Sequence, residues 1–518
     1  MMFPFFKKKA PPPRKVPSLG RYRSYASAEQ GRLMRDWLTP SSSSDSELWA
    51  SQKVLRNRSR ALVRDNSYAR RIRSLLQGNI VGQGIGMQCV RNDNGVPRDK
   101  ENDSVEQAWW LWSNGDGVHT AGILSLTDML RLAVSEVFEA GEVLMHFVPR
   151  KFGHSKVPLA IEVIEAERLV DYKPTVPLEN GHSVRMGVET DEWGRPVAYW
   201  VYRGHPGDGV FRGYNSDDMV RIPAEDCCHL YVCNRWPQTR GEPWMATVIR
   251  CLRDTGEYTK SELVAARASA SIMGFIQKPD DASPDKEDEE EEEDEEPLQM
   301  EPGTVWKLHS GESFNGFSPS RPNAASETFL SFMIREVAAG CDVSYEALSK
   351  DYSKSNYSSS RLSILDDRQG YRVLQQWLIR QFLYPLYVRW FRAAYLAGAI
   401  KVTGGASEED AWLMSARFRP PGWSWVDPTK EVNAMREAVK AGFMTVSDVI
   451  AQTGGGQDAE DVFKARRKEL DLMDSLGLKF TTTDTKAEDE SPPEKPDGED
   501  PEKPDKDDET DDKNDDPR

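Results

Sequence analysis

No glycine stands directly before a lysine anywhere in this 518-residue chain, so the phosphate-binding pattern G-x-x-x-x-G-K-[ST] is absent. Nucleotide hydrolysis on that loop is thereby excluded. HExxH and G-x-S-x-G are missing too, and with them two common hydrolase arrangements. Histidine is scarce, at seven residues, and cysteine scarcer, at six. Cys89, Cys227, Cys228, Cys233, Cys251 and Cys341 follow no regular spacing, which points to a reducing, cytosolic setting rather than a disulfide framework. Their densest group is "CCHLYVC", Cys227 to Cys233. A structural zinc takes two ligand pairs set further apart. Alternation of Cys228, Leu230 and Val232 against Cys227, His229 and Tyr231 reads instead as a buried strand.

Long apolar runs are also missing. A membrane span needs about 18 apolar residues, and the best candidate, "FLYPLYVRWFRAAYLAGAI", is broken by Pro385, Arg389 and Arg392. At the N-terminus, "MMFPFFKKKAPPPRK" puts its apolar residues ahead of its positive charges, the reverse of a secretory signal. Gly82, Gly84 and Gly86 lack the spacing of a dinucleotide fingerprint and read as a tight turn into a strand. Glu162 and Glu165 are the acids a nuclease reading would need on an ordered element; they read as a solvated strand face. The sequence calls for no cofactor, no metal and no catalytic residue.

What is present is charge, unevenly placed. The chain carries −17 overall. Residues 280–296 contribute −12 and 484–518 contribute −11, leaving the rest at +6. Both acidic runs lack apolar residues and are expected to be disordered. The whole chain is 38% hydrophobic, and the part outside the two runs is mildly basic, which permits contact with a polyanion.

The expected class is α+β, mainly helical. Helical spacing runs from Ser46 to Gln77, from Asp103 to Trp112 and from Leu126 to Ala140. Strand signals fill the stretch to residue 234, with "TDEWGRP" as a hairpin turn. Helix returns over Pro243 to Ala270 and Ala324 to Ala339, with short strands on either side of the acidic run. A long helix is expected over Ser359 to Ala397, bent near Pro385. Before it lies "EALSKDYSKSNYSSSRLSILDDRQGY", a hydroxyl-rich loop expected to be mobile and to cap the helix with a serine among Ser358 to Ser360. Asp427 to Leu478 reads as two or three short helices, the first with Asp427 as cap and Pro428 at its first position.

Several stretches, in order, resemble the lambda-type family of tailed-phage portal proteins. They are "ALVRDNSYARRIRSLLQGNIVGQGI", "IEVIEAERL", "GVETDEWGRPVAYWVYR", "IPAEDCCHLYVCNRWPQTRGEPWMATVIRCLRDTGEYTKSELVAARASAS" and "VSYEALSKDYSKSNYSSSRLSILDDR". The resemblance covers roughly residues 46–480; the acidic runs stand outside it. It implies a structural protein, not an enzyme, that forms a closed ring of about twelve subunits at one capsid vertex. Double-stranded DNA would pass through the axial channel during packaging and ejection, driven by a separate terminase ATPase. Other implied partners are head-tail connector proteins and the major capsid and scaffold proteins, with no membrane. The implied setting is the virion, assembled in the host bacterial cytoplasm.

The implied parts follow chain order: an arm at 1–45, wing 46–240, first stem helix 241–270, clip 271–322 carrying the acidic loop 280–296, and second stem helix 323–340. A tunnel loop at 349–358 and tunnel helix at 359–397 come next, then a return to the wing at 398–426, crown-like helices at 427–480 and an acidic tail at 481–518. On this reading Lys350 and Lys354 touch DNA phosphates without reading bases. Arg361, Arg368 and Arg372 fall within about 40° of one helix face at about 100° per residue, making a second channel candidate. The alternative pairs these arginines with acids, Asp366 and Asp367 among them, on neighbouring subunits. Trp377, Phe382, Trp390 and Phe391 fit either core or interface. The competing functional readings are another structural head component, a connector or minor capsid protein, or a DNA-packaging enzyme.

Overall fold

The computed structural model describes residues 41–93, 96–171, 176–178, 181–208, 218–271, 274–277, 313–316, 326–353, 355–404, 408–423, 428–453 and 459–478. The expectations for the arm up to residue 40, for both acidic runs, for Lys354 and for the Asp427 cap lie outside these residues. The chain divides into two units, one up to Gln457 and one from Asp458.

Helix α1 (Ser44–Asp65) starts on Ser43, whose Oγ accepts the Ser46 N–H at 3.2 Å. Asn66 then breaks what the periodicity predicts as one helix. Its own N–H closes α1 on the Leu62 carbonyl, while its Oδ1 accepts the N–H groups of Tyr68 and Ala69 at 2.9 and 3.1 Å and starts α2 (Ser67–Ile80). Gly82 and Gly84, at φ +52° and +132°, make the expected turn into β1 (Gly86–Cys89). A two-residue ribbon, β2 (Asn92–Asp93) with β3 (Val96–Pro97), leads to α3 (Asp99–Ser113). α4 (Leu126–Ala140) has the expected bounds, a Ser125–Asp128 capping box and a left-handed Gly141 at its end.

Two antiparallel sheets follow. β4 (Glu142–Val148) and β5 (Ala160–Glu165) pair first. β6 (Val176–Pro177), β7 (Ser183–Arg185), β8 (Val188–Thr190), β9 (Pro196–Tyr202) and β10 (Met219–Pro223) form a five-stranded meander, and "DEWG" is the β8–β9 turn. β11 (Cys227–Tyr231) returns to β4, giving the order β11-β4-β5. Alternation sorts the two faces of this three-stranded sheet. Val143, Met145, Phe147, Ile161, Cys228 and Leu230 pack against the helices. Leu144, Ile164 and Cys227 pack against Val188, Tyr199, Val201 and Ile222 of the meander. In "CCHLYVC" the thiols of Cys227 and Cys228 are therefore covered, one on each face, while Cys233 beyond the strand is exposed.

One charge is fully enclosed there. Glu142 accepts from Arg240 Nε at 2.6 Å, Gln52 Nε2, His229 Nε2 and the Gly241 N–H, each of the last three at 2.9 Å. Burial alone would raise its pKa; Arg240 and His229 outweigh this and hold the carboxyl below its ordinary range.

A short 3-10 turn, Trp244–Thr247, opens into α5 (Ile249–Ser271). β12 (Gly274–Gln277) and β13 (Ser313–Gly316) pair antiparallel, and α6 (Ser326–Gly340) comes back. The next element, the short α7 (Tyr345–Ser349), is not announced by any periodicity in the sequence. α8 (Tyr357–Leu378) runs through a π turn, Ile379–Leu383, into α9 (Tyr384–Leu396). Where a bend is expected near Pro385, the structure has this π turn just before the proline. Proline has no N–H to give the Gln381 carbonyl one turn back. The Cys228 thiol donates to that carbonyl at 2.8 Å.

α9 is core. Trp390 lies edge-on to Trp109 with ring centres 5.0 Å apart, and Tyr387 and Phe418 close the same cluster. Phe382, Trp390 and Phe391 are all buried, which settles them as core; Trp377 is half-buried and donates its indole N–H to the Tyr231 carbonyl at 3.2 Å. α10 (Glu409–Leu413) and β14 (Ala416–Arg419) complete this part, with β14 pairing back to β1. α11 (Pro428–Lys440) begins on the expected proline and α12 (Val446–Thr453) follows. In the second unit, α13 (Ala459–Leu476) carries Lys464–Glu460, Arg466–Glu469 and Arg467–Asp471 ion pairs. No helix among the described residues is long and apolar enough to cross a membrane.

Candidate functional site

The hydroxyl-rich stretch is shaped by local hydrogen bonds. Lys350 ends α7 in the left-handed region at φ +58°, its N–H on the Glu346 carbonyl at 2.8 Å and its side chain exposed. Asp351 Oδ1 accepts from both Ser353 N–H, at 3.0 Å, and Ser353 Oγ, at 2.6 Å. The cap of α8 is Asn356, which corrects the expectation of a serine among 358–360. Asn356 Oδ1 accepts the Ser359 N–H at 2.8 Å, and Ser359 Oγ accepts the Asn356 N–H at 3.2 Å. Asn reaches the third amide as well as serine does, and Ser359 plays the reciprocal part.

α8 has three faces. Tyr371, Gln375 and Leu378 face inward; Gln375 Nε2 donates to the Asn79 and Pro421 carbonyls at 2.8 and 3.1 Å. Leu362 and Val373 share a second face, within about 20° of each other at about 100° per residue, and are 71% and 69% exposed. The third face holds the three predicted arginines together. Arg368 and Arg372 lie over the Trp423 ring, 5.7 and 5.6 Å from its centre. Arg361 Nη2 stands 3.7 Å from Glu431 Oε1 of α11, an ion pair within the same chain. Trp423 is itself fixed by a 2.7 Å hydrogen bond to Asn79 Oδ1. The arginines, Trp423, Glu431, Leu365, Met435 and Thr453 line a cavity of about 230 Å³. Burial lowers the pKa of Arg368; Glu431 opposes the shift and Arg372 adds to it. Lys350 does not line the cavity.

Trp423 and Glu431 are the residues sequence reasoning missed. Each belongs to a different segment from α8, and nothing in the spacing of "PPGWSWVDPTKEV" announces that it meets the arginine face. Asp367 accepts Ser344 Oγ at 2.6 Å within the chain, and burial raises its pKa.

Helices α5 and α6 have a comparable outer surface. α5 buries Cys251, Leu252 and Thr255 near its start, then exposes Leu263 and Val264 at 50% and 57%. α6 exposes Phe329 and Phe332 at 45% and 62%. The two helices touch through Tyr258 and Phe329, ring centres 4.9 Å apart. Elsewhere, Glu165, Glu167 and His205 bring three possible ligand atoms within 4.8 Å. Glu167 is already held by Arg60 at 2.7 and 2.9 Å and by Arg56 at 3.3 Å, so this trio belongs to an ion-pair network. Glu162, read as solvated, pairs with His146 and Arg168 at 3.0 and 3.1 Å.

Among solved structures, the neck of a native GTA particle computed with C12 symmetry matches at 15% identity over 76% of this chain and 93% of that one, with a TM-score of 0.42. Sequence relatives are more telling. The "Probable portal protein" of Halomonas phage phiHAP-1 is 29% identical over 483 residues, 90% of each chain. "Portal protein B" of Escherichia phage lambda is 23% identical over 522 residues, 90% of this chain and 93% of that one. The family described as "Phage portal protein, lambda family" matches residues 30–375, more than half of the chain. On that match, the chain belongs to the lambda family of phage portal proteins.

Proposed function

We propose that copies of this chain close into a ring of about twelve at one capsid vertex, with DNA passing through the central hole in packaging and ejection. The observation that carries this is the apolar surface left on α5, α6 and α8. Leu263, Val264, Phe329, Phe332, Leu362 and Val373 are each 45% or more exposed in the single subunit. Such side chains cost solubility unless something covers them. A head-to-tail ring covers one patch with a different patch of the neighbour, on every subunit alike.

In this reading α5 and α6 are the stem, residues 271–322 between them the clip, and 349–358 with α8 and α9 the tunnel loop and helix. Residues 46–240 with 398–426 form the wing, and 427–480 the crown. The clip docks the terminase motor first and the head-tail connector proteins later; the wing meets capsid and scaffold proteins. The subunit itself catalyses nothing. Lys350 and Lys354 meet DNA phosphates, and the Arg361, Arg368 and Arg372 face supplies further positive charge. Contacts of this kind do not depend on sequence, which suits a channel that must pass any DNA.

Negative-stain imaging of the purified full chain tests the proposal. Rings with a central hole are expected without nucleotide; a field of compact monomers at micromolar concentration overturns it. ATP hydrolysis by the pure protein would contradict the division of labour with a separate motor.

A further inference from the structure

The cavity beside α8 is lined by three guanidinium groups and, among the described residues, by the single carboxylate of Glu431. Its volume of about 230 Å³ is several times the roughly 30 Å³ share of one water, enough for a tetrahedral oxyanion with part of its hydration shell. Guanidinium groups present planar forks that suit such an anion. Arg368 and Arg372 are held in place over Trp423, so two of the three donors are already positioned. The Arg361–Glu431 contact, at 3.7 Å, is longer than a hydrogen bond and leaves the pair open to competition. α11 has no buried residue and meets α8 through partly exposed contacts, among them this ion pair and Lys430 over the Tyr357 ring at 5.8 Å.

We propose that this cavity binds a phosphate group through Arg361, Arg368 and Arg372, and that the bound anion competes with Glu431 for Arg361 and loosens α11 from α8. The inference rests on the proposed DNA-channel reading only for the source of the phosphate. A backbone phosphate of DNA and free inorganic phosphate share the chemistry, and the experiment separates them.

The test is hydrogen exchange of the purified full-length protein, read at residues 428–440, with inorganic phosphate titrated against chloride at equal ionic strength. Phosphate should speed exchange in this segment saturably, and chloride should not. Glu431→Gln should speed exchange before any phosphate is added and tighten phosphate binding about two- to fivefold, the weight of one partly exposed ion pair. Arg368→Gln with Arg372→Gln should abolish the phosphate response. The opposite signs of these two variants distinguish anion binding from simple loss of structure. Absence of a saturable phosphate effect in the unaltered protein overturns the proposal, as does an unchanged response in the double variant. A short DNA duplex that competes with phosphate supports the backbone as the source. A duplex that fails to compete leaves the phosphate site standing and removes these arginines from the DNA channel.

Discussion

α8 and α9 lie on one continuous helical path, yet they meet different surroundings. In α9, Leu386, Tyr387, Trp390, Phe391 and Ala394 are buried within 13 residues; in α8 only Tyr371, Gln375 and Leu378 are buried within 22. Both carry apolar residues at helical spacing. α9 spends them on the aromatic core with Trp109 and Phe418, whereas α8 leaves Leu362 and Val373 in solvent. The difference teaches that one rod meets two settings: α9 is enclosed in the subunit's core, and α8 leaves apolar side chains in solvent that the proposed ring would cover.

The largest effect expected from this contrast is at Trp390, fully buried against two other tryptophans. Trp390→Ala should cost about 3–5 kcal/mol in a denaturant melt, whereas Leu362→Ala on α8 should change subunit stability by no more than about 0.5 kcal/mol. Equal losses would erase the contrast.

A smaller cost is expected where backbone meets backbone on the core side. A Cβ at Gly241 would stand 2.0 Å from the Gly141 carbonyl oxygen and 2.8 Å from Tyr231 Cβ. Gly241 also gives its N–H to buried Glu142. Gly241→Ala should destabilise the subunit by about 1–3 kcal/mol, read by the same melt.

Acid should weaken the five-stranded sheet through Glu189. Arg221 grips Glu189 at 2.8 and 3.0 Å, His182 and Trp200 add hydrogen bonds, and the carboxyl is lowered to about 2. The unfolded value is about 4.3. A depressed folded pKa contributes stability above the unfolded value, and that stability is lost as pH falls from about 4.3 through about 2. Melts of Glu189→Gln should therefore show a shallower loss over that window than the unaltered protein; parallel curves would remove Glu189 as a source of acid sensitivity.

The smallest effect should come from the loop. Lys350→Ala with Lys354→Ala should leave subunit stability within about 0.5 kcal/mol, while DNA packaging or retention in procapsids falls, more so at high salt. Normal packaging across salt would eliminate these lysines from DNA handling.

Much of this fold was legible. Ser125 and Gly141 bracket α4 as its capping residues should, and alternation in "CCHLYVC" gave the burial of β11 correctly, because both signals are local. The break at Asn66 was hidden by the apolar spacing of Leu62, Tyr68 and Ile72, which continues across it; the cue was an asparagine able to cap the next helix. The cap of α8 was misplaced among three serines because Asn356 competes for the same amides. The arginine face was legible as a face, since its period is local. Its surroundings were not, since Trp423 and Glu431 reach it through tertiary folding, as does the Cys228 thiol on Gln381.

In the proposed ring, the exposed side of α8 belongs to a neighbouring copy. Mass measurement in solution of the unaltered chain and of Leu362→Asp with Val373→Asp tests this most directly. The unaltered chain should appear as an oligomer of about twelve copies, and the double variant as a folded monomer whose melt matches that of the unaltered subunit. An unaltered chain that stays monomeric, or a double variant that still assembles, would contradict it.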